Sequence, residues 1–101
     1  MDIAVIGDYE SPEYKILYER VKLAYHEESV IDLSRHTGND WKKRDDARIA
    51  DITDSHLVII CKDWMNHIDA RHDISEAHRM KKEIYIEYNG GFIEWDKISR
   101  R

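Results

Sequence analysis

Between Asp63 and Asp73 the chain crowds Asp63, Trp64, His67, Asp69, His72 and Asp73 into one short stretch. Carboxylates and imidazoles at this density can act as nucleophile, general acid or base, or metal ligands. The metal option lacks a pattern: there is no HExxH and no thiolate partner, so neither a metal nor another cofactor is expected. Asp73 is the sharper candidate. It falls within the first turn or so of a helix, where the helix dipole favours an ionised carboxylate by about 0.3–1 kcal/mol. An ionised, positioned carboxylate is what attack on an anomeric carbon requires. Asp69 and Asp73 would also sit there if they only complemented the dipole, and the residues alone leave both roles open.

Two further groups could complete such a site. Asp45 and Asp46 lie on a helical stretch upstream. Asp46 shares one side with Ile49 and Ala50 at helical spacing, which would direct its carboxylate toward the same region; a plain surface acid is the alternative. Gly7-Asp8-Tyr9-Glu10-Ser11 follows the first apolar run and precedes a helix start, a common anion site. It carries neither GxGxxG nor GxxxxGK[ST], which excludes dinucleotide and P-loop readings. Its two acids also disfavour a phosphate. Tyr9, at the mouth of a cleft, can cover a base or a sugar.

These residues are placed by an alternating pattern. Short apolar, β-branched runs at 2–6, 29–33, 57–61 and 83–88 read as strands; Leu57-Val58-Ile59-Ile60-Cys61 is uninterrupted, as for a strand buried on both faces. Ser11-Pro12 opens a first helix as N-cap and first helical residue, with Tyr14, Leu17, Val21 and Ala24 inward. Asp40 caps a second helix with Trp41, Ile49 and Ile52 inward. A third helix from about Asp69 buries Ala70, Ile74, Ala77 and Met80. Phe92, Ile93, Trp95 and Ile98 give the tail enough apolar surface to pack as one short element.

Strands alternating with helices predict an α/β domain: a flavodoxin-like parallel sheet of four or five strands, order 2-1-3-4, with right-handed crossovers and helices on both faces. Ligands then bind beyond the carboxyl ends of the strands. Asp8, Asp63 and Asp73 belong at that edge.

The bulk numbers narrow the class. At 101 residues the chain makes one domain, 1–101, and its 42% apolar content is that of a globular protein. A net charge of −5 argues against a nucleic-acid backbone as partner. The single cysteine cannot form an internal disulfide, and inside the apolar run Cys61 reads as an inert buried thiol. No apolar run approaches a signal peptide or membrane span, so a cytoplasmic protein without membrane partners is expected.

The block WKKRDDARIADITDSHLVIICKDWMNHIDARHDISEAHRMKKEIYI resembles the core of the nucleoside 2-deoxyribosyltransferase-like superfamily, especially its small phage- and bacteria-encoded members of unknown function. Arg44-Asp45-Asp46 falls where that family has an arginine and aspartate on a helix, and Ser55-His56 leads the apolar strand. Asp63-Trp64 takes the place of Gly-Trp, keeping the tryptophan. Asp69-Ala70-Arg71-His72-Asp73 takes the place of Gly-Ala-x-x-Glu, and Lys81-Lys82-Glu83-Ile84 that of Gly-Lys-Pro-Ile. Gly7 matches the glycine of the first loop.

The resemblance implies cleavage or transfer at the N-glycosidic bond of a nucleoside or nucleotide. It makes Asp73 the nucleophile and Asp46 the residue that assists base departure, with Gly7, Asp8, Tyr9, Asp63, Trp64 and Asp69 around the substrate. It also implies a homodimer whose pocket is completed across subunits, which would recruit Asn89. Exposed apolar surface around Trp41, Trp95 and the tyrosines points the same way. Three departures stand out: aspartate for glutamate at 73, aspartate for glycine at 69, and His67 for a serine that helps hold phosphate. Glu76, one turn beyond Asp73, is a substitute nucleophile. The alternatives on the same fold are a non-catalytic nucleotide-binding module and a small phage-type interaction protein.

Overall fold

The computed structural model describes residues 1–95. Ten elements succeed one another: β1 (Asp2–Ile6), α1 (Pro12–Ala24), β2 (Ser29–Asp32), a 3-10 turn (Leu33–Arg35), α2 (Trp41–Asp54), β3 (Leu57–Ile60), a second 3-10 turn (Trp64–Asn66), α3 (Ile68–Arg79), β4 (Glu83–Tyr88) and β5 (Gly91–Glu94). The strands form one mixed sheet in the order β2-β1-β3-β4-β5. The first four are parallel, with Ile3 beside Val30 and Leu57, and Val58 beside Ile84. β5 returns antiparallel to β4, with Ile86 opposite Ile93.

The helices cover both faces. Ile3, Val5, Leu57, Ile59 and Cys61 point to α1, where they meet Tyr14, Leu17 and Val21. Ala4, Ile6, Val58 and Ile60 point the other way, to Ile52 of α2 and Ala70, Ile74 and Ala77 of α3. Successive strand residues face opposite sides, so a strand covered on both must be apolar throughout, and all four residues of β3 are buried. Each fully buried Val, Leu or Ile contributes about 1.5–3 kcal/mol, which makes β1 and β3 the chief stabilising strands.

The caps follow from the residues at the helix starts. Ser11 accepts from Tyr14 N at 3.2 Å with Pro12 at the first helical position, and Asp40 accepts from Lys42 N and Lys43 N at 3.1 and 3.2 Å. α3 starts at Ile68, after His67, whose side chain makes no capping bond.

Four details depart from the expectations. The fifth strand, Gly91–Glu94, runs antiparallel where a parallel sheet was expected, because Asn89 and Gly90 both take positive φ (48° and 81°) and turn the chain straight back. Asn-Gly between apolar runs is a strong hairpin signal, and it does more here than end β4. Leu33 leaves the second strand for the 3-10 turn, where it is fully buried. Ala24 is exposed at the end of α1, and Trp41, the first residue of α2, is 66% exposed, the buried residues of that helix being Arg48 and Ile52. Ile98, with the rest of the tail after Trp95, lies outside the described residues. Among the described residues no helix is long and apolar enough to cross a membrane.

Candidate functional site

Asp73 is on the buried stripe of α3. Ala70, Asp73, Ile74 and Ala77 are all buried, the spacing of one helix face, so the carboxylate is carried into the protein with 0% exposure. Such a group must be paired. Arg48 Nε donates to its Oδ2 at 2.7 Å, the Tyr9 hydroxyl donates to the same oxygen at 2.6 Å, and His72 Nδ1 lies 2.9 Å from Oδ1. A carboxylate only accepts, so His72 Nδ1 carries the proton of that bond.

Arg48 is the other half of the site. It is 2% exposed, one helical turn before Ile52 on the inner face of α2. Its Nη2 donates to Asp45, one turn earlier, and lies 3.9 Å from Asp69 Oδ1. Its guanidinium carbon stands 5.1 Å from the centroid of the Tyr9 ring, a cation–π contact. Burial works against the charge of Arg48, but the hydrogen bond and charge of Asp73 outweigh it and raise its pKa. For Tyr9, burial first and then the charge of Asp73 hold the phenol well above the usual tyrosine range.

The β1–α1 loop brings Tyr9 to this place because Gly7 lets β1 run close to β3. A Cβ on Gly7 would stand 2.9 Å from Cys61 Cβ and 3.2 Å from the Tyr14 ring. Tyr14 then anchors the edge: its hydroxyl donates to Val5 O at 3.0 Å and accepts from Leu33 N at 3.1 Å, and the Tyr9 ring meets it edge-on at 5.1 Å.

Outside the layer of Tyr9 and Arg48 lies a cleft of about 460 Å³ at the carboxyl edge of β1 and β2. Asp8, Tyr9 and Glu10 form one wall, Arg44 and Arg48 another, and His67, Ile68 and Asp69 a third. His67 Nε2 lies 3.4 Å from Asp8 Oδ2, and Arg44 is turned to Gly38 O.

Of the residues singled out in the sequence, Asp8, Tyr9 and Asp69 line the cleft; Asp73 stands behind it, joined to it through Tyr9 and Arg48. Asp46 is exposed, because the inward positions of α2 are 48, 49 and 52; Asp45 is the acid that reaches Arg48. Gly7 is buried packing. Asp63 accepts from the Cys61 thiol, and burial first, then that hydrogen bond, pushes the thiol up to about 12. Trp64 packs edge-on against Trp95 at 5.3 Å. Asn89 is in the β4–β5 turn, and Glu76 pairs with Arg79 at 2.6 Å. None of these six lines the cleft. Among the described residues no group of three His, Cys, Asp or Glu side chains could hold a metal ion.

Arg48 is the residue the sequence did not single out; Asp45 and His72 stood out there only as neighbours of Asp46 and Asp73, without the partners they have here. A signal existed: Arg48 is four residues before Ile52 and one after Ala47, so any helix face that buries Ile52 also buries the arginine. A buried arginine demands a buried acid on the facing helix. No family model, curated protein or solved structure matches this chain.

Proposed function

We propose that this domain is a binding module for a nucleoside-sized, uncharged polar molecule, held in the cleft against Tyr9 and Arg48. One observation carries the choice of binding over turnover. Asp73 is wholly buried, and both its oxygens are engaged by Arg48, Tyr9 and His72. A nucleophile must reach the anomeric carbon, whereas this carboxylate faces its own protein partners. It acts as the brace that fixes Arg48 and Tyr9.

The nucleoside class rests on the resemblance described above and on a cleft within the roughly 300–1,000 Å³ of small-molecule sites. The preference for an uncharged ligand rests on charge. Arg48 is matched by Asp45 and Asp73, which leaves Asp8, Glu10 and Asp69 facing the cleft with Arg44 as the remaining arginine. A phosphate would meet these acids. Trp41, Met65 and Ile68, each at least 66% exposed, support self-association as a dimer, and the single free cysteine fits a cytoplasmic setting.

A second reading, N-glycosidic cleavage with Asp73 as nucleophile, is favoured by the Tyr9–Asp73 contact. Tyr9 both lines the cleft and covers Oδ2, so a substrate that displaces its hydroxyl would meet the carboxylate. One panel separates the readings: nucleosides and their 5′-monophosphates, followed by thermal shift and by release of free base. Binding predicts a rise in Tm without base release, larger for nucleosides than for their monophosphates. Base release that Asp73→Asn abolishes would establish the enzyme instead. A panel with neither response would leave the interaction-protein alternative.

A further inference from the structure

Arg48 uses two of its three nitrogens on the protein. Nε donates to Asp73 and Nη2 to Asp45, whereas Nη1 has no partner among the described residues. Every fully buried side-chain nitrogen or oxygen of the described residues has a hydrogen-bond partner, so Nη1 keeps access to solvent although the residue is only 2% exposed. The cleft is the opening that Arg48 lines. A guanidinium held by Asp73 and Asp45 and flanked by the Tyr9 ring thus keeps a spare donor, not fully buried, in a residue that lines the cleft. Asp69 is beside it: one carboxylate oxygen lies 3.9 Å from Nη2, and its side chain is 54% exposed on the cleft wall.

We infer that Arg48 Nη1 and the Asp69 carboxylate form a donor–acceptor pair that selects a ligand carrying a hydrogen-bond acceptor and a donor on adjacent atoms. This rests on the reading of the cleft as a nucleoside site and specifies what the site recognises. A nucleoside offers that pattern in two places. The lactam edge of a base such as hypoxanthine has a carbonyl oxygen next to an N–H, and the ribose 2′,3′-diol has two neighbouring hydroxyls that can each accept or donate. The edge of adenine has the reversed order, an amino donor next to a ring acceptor. It would set donor against Nη1 and a lone pair against Asp69. A charged arginine and an acceptor-only carboxylate are both intolerant of that reversal. The pair gives the aspartate at 69 a role on the cleft wall.

The test is a two-by-two set of ligands, inosine and adenosine with their 2′,3′-dideoxy forms, titrated calorimetrically into the wild-type protein and into Asp69→Ala and Asp69→Asn. Arg48 is too deeply built into the fold to be removed cleanly, so its half of the pair is removed from the ligand side. Loss of a hydrogen bond to a charged group weakens binding by about ten- to a hundredfold. The wild type should show that difference along one axis, lactam or diol, and Asp69→Ala should nearly erase it. If the lactam is the recognised edge, Asp69→Asn, which supplies an N–H, should shift preference toward adenosine. If the diol is recognised, both substitutions weaken the two ribonucleosides alike. Either pattern supports the pair. Equal binding of all four ligands by the wild type, or a ligand preference unchanged in Asp69→Ala, overturns it while leaving the cleft a nucleoside site. Binding of none of the four overturns the pair and the nucleoside reading together.

Discussion

Arg48 Nε lies 2.7 Å from Asp73 Oδ2, a charge pair between α2 and α3 in which neither residue is more than 2% exposed. Both charges lose their water, and their attraction repays that cost only where other groups fill the remaining hydrogen-bonding capacity. Tyr9 and His72 do so on Asp73, and Asp45 takes Nη2 of Arg48. The pair lies directly behind the cleft, so the two helices and the β1–α1 loop converge on one point. An apolar contact would hold α2 to α3 equally well. A polar one additionally orients Tyr9 and leaves Nη1 free of a protein partner among the described residues.

Removing one partner should therefore be much worse than removing both. Arg48→Met or Asp73→Leu alone leaves a buried charge unmatched and should cost about 3–5 kcal/mol in urea denaturation. The double variant should recover most of that stability and lose ligand binding. If the two single costs simply add, Arg48 and Asp73 are not coupled.

Tyr9 should tie stability to alkaline pH. Its phenol donates to Asp73 in the folded protein, and burial together with that charge raises its pKa above the ordinary value of 10.0. A folded-state pKa above the unfolded one gives stability that is fully present below about pH 10 and is lost as pH rises through the folded value. Tyr14 is raised in the same direction, so both contribute to the decline. Tyr9→Phe should cost about 1.5–3 kcal/mol at neutral pH and flatten the loss above pH 10. An equally steep loss in Tyr9→Phe would show that the phenol does not titrate with unfolding.

The order of the first four strands was legible because its signals are local: four β-branched runs, an N-cap Ser11 before Pro12, and apolar residues at helical spacing in α1 and α3. Of the residues singled out in the sequence, Asp8, Tyr9 and Asp69 stand at the cleft and Asp73 behind it, each placed by its own loop or helix start. Arg48, and its pairing with Asp45, were hidden because they depend on which helix faces α2, and charged residues are ordinarily assigned to the solvent side. Choosing between Asp45 and Asp46 takes a helix phase accurate to one residue, about 100° of rotation. A stretch whose inward face itself carries Asp45 and Arg48 obscures that phase.

Gly7 should tolerate no side chain. A Cβ there would stand 2.9 Å from Cys61 Cβ, where β1 and β3 approach each other. Gly7→Ala should destabilise the protein by about 1–3 kcal/mol through overpacking. Cys61→Ala should not rescue it, since alanine keeps the offending Cβ. A neutral Gly7→Ala in a melting experiment would mean that the loop can shift, and with it Tyr9.

The two neighbouring acids of α2 should separate cleanly. Asp46 is exposed and has no ion pair or hydrogen bond among the described residues, so Asp46→Ala should change stability by less than about 0.5 kcal/mol and leave ligand affinity as it was. Asp45 holds Arg48 Nη2 and is 21% exposed at its side chain, so part of its effect is screened by solvent. Asp45→Ala should cost about 1 kcal/mol. Its larger effect should be on binding, because a freed Nη2 lets the guanidinium turn and withdraws Nη1 from its aim. Affinity measured for both variants against the same nucleoside decides the matter. If Asp46→Ala weakens binding and Asp45→Ala does not, α2 presents its other face to the ligand, and the placement of Arg48 at the cleft is wrong.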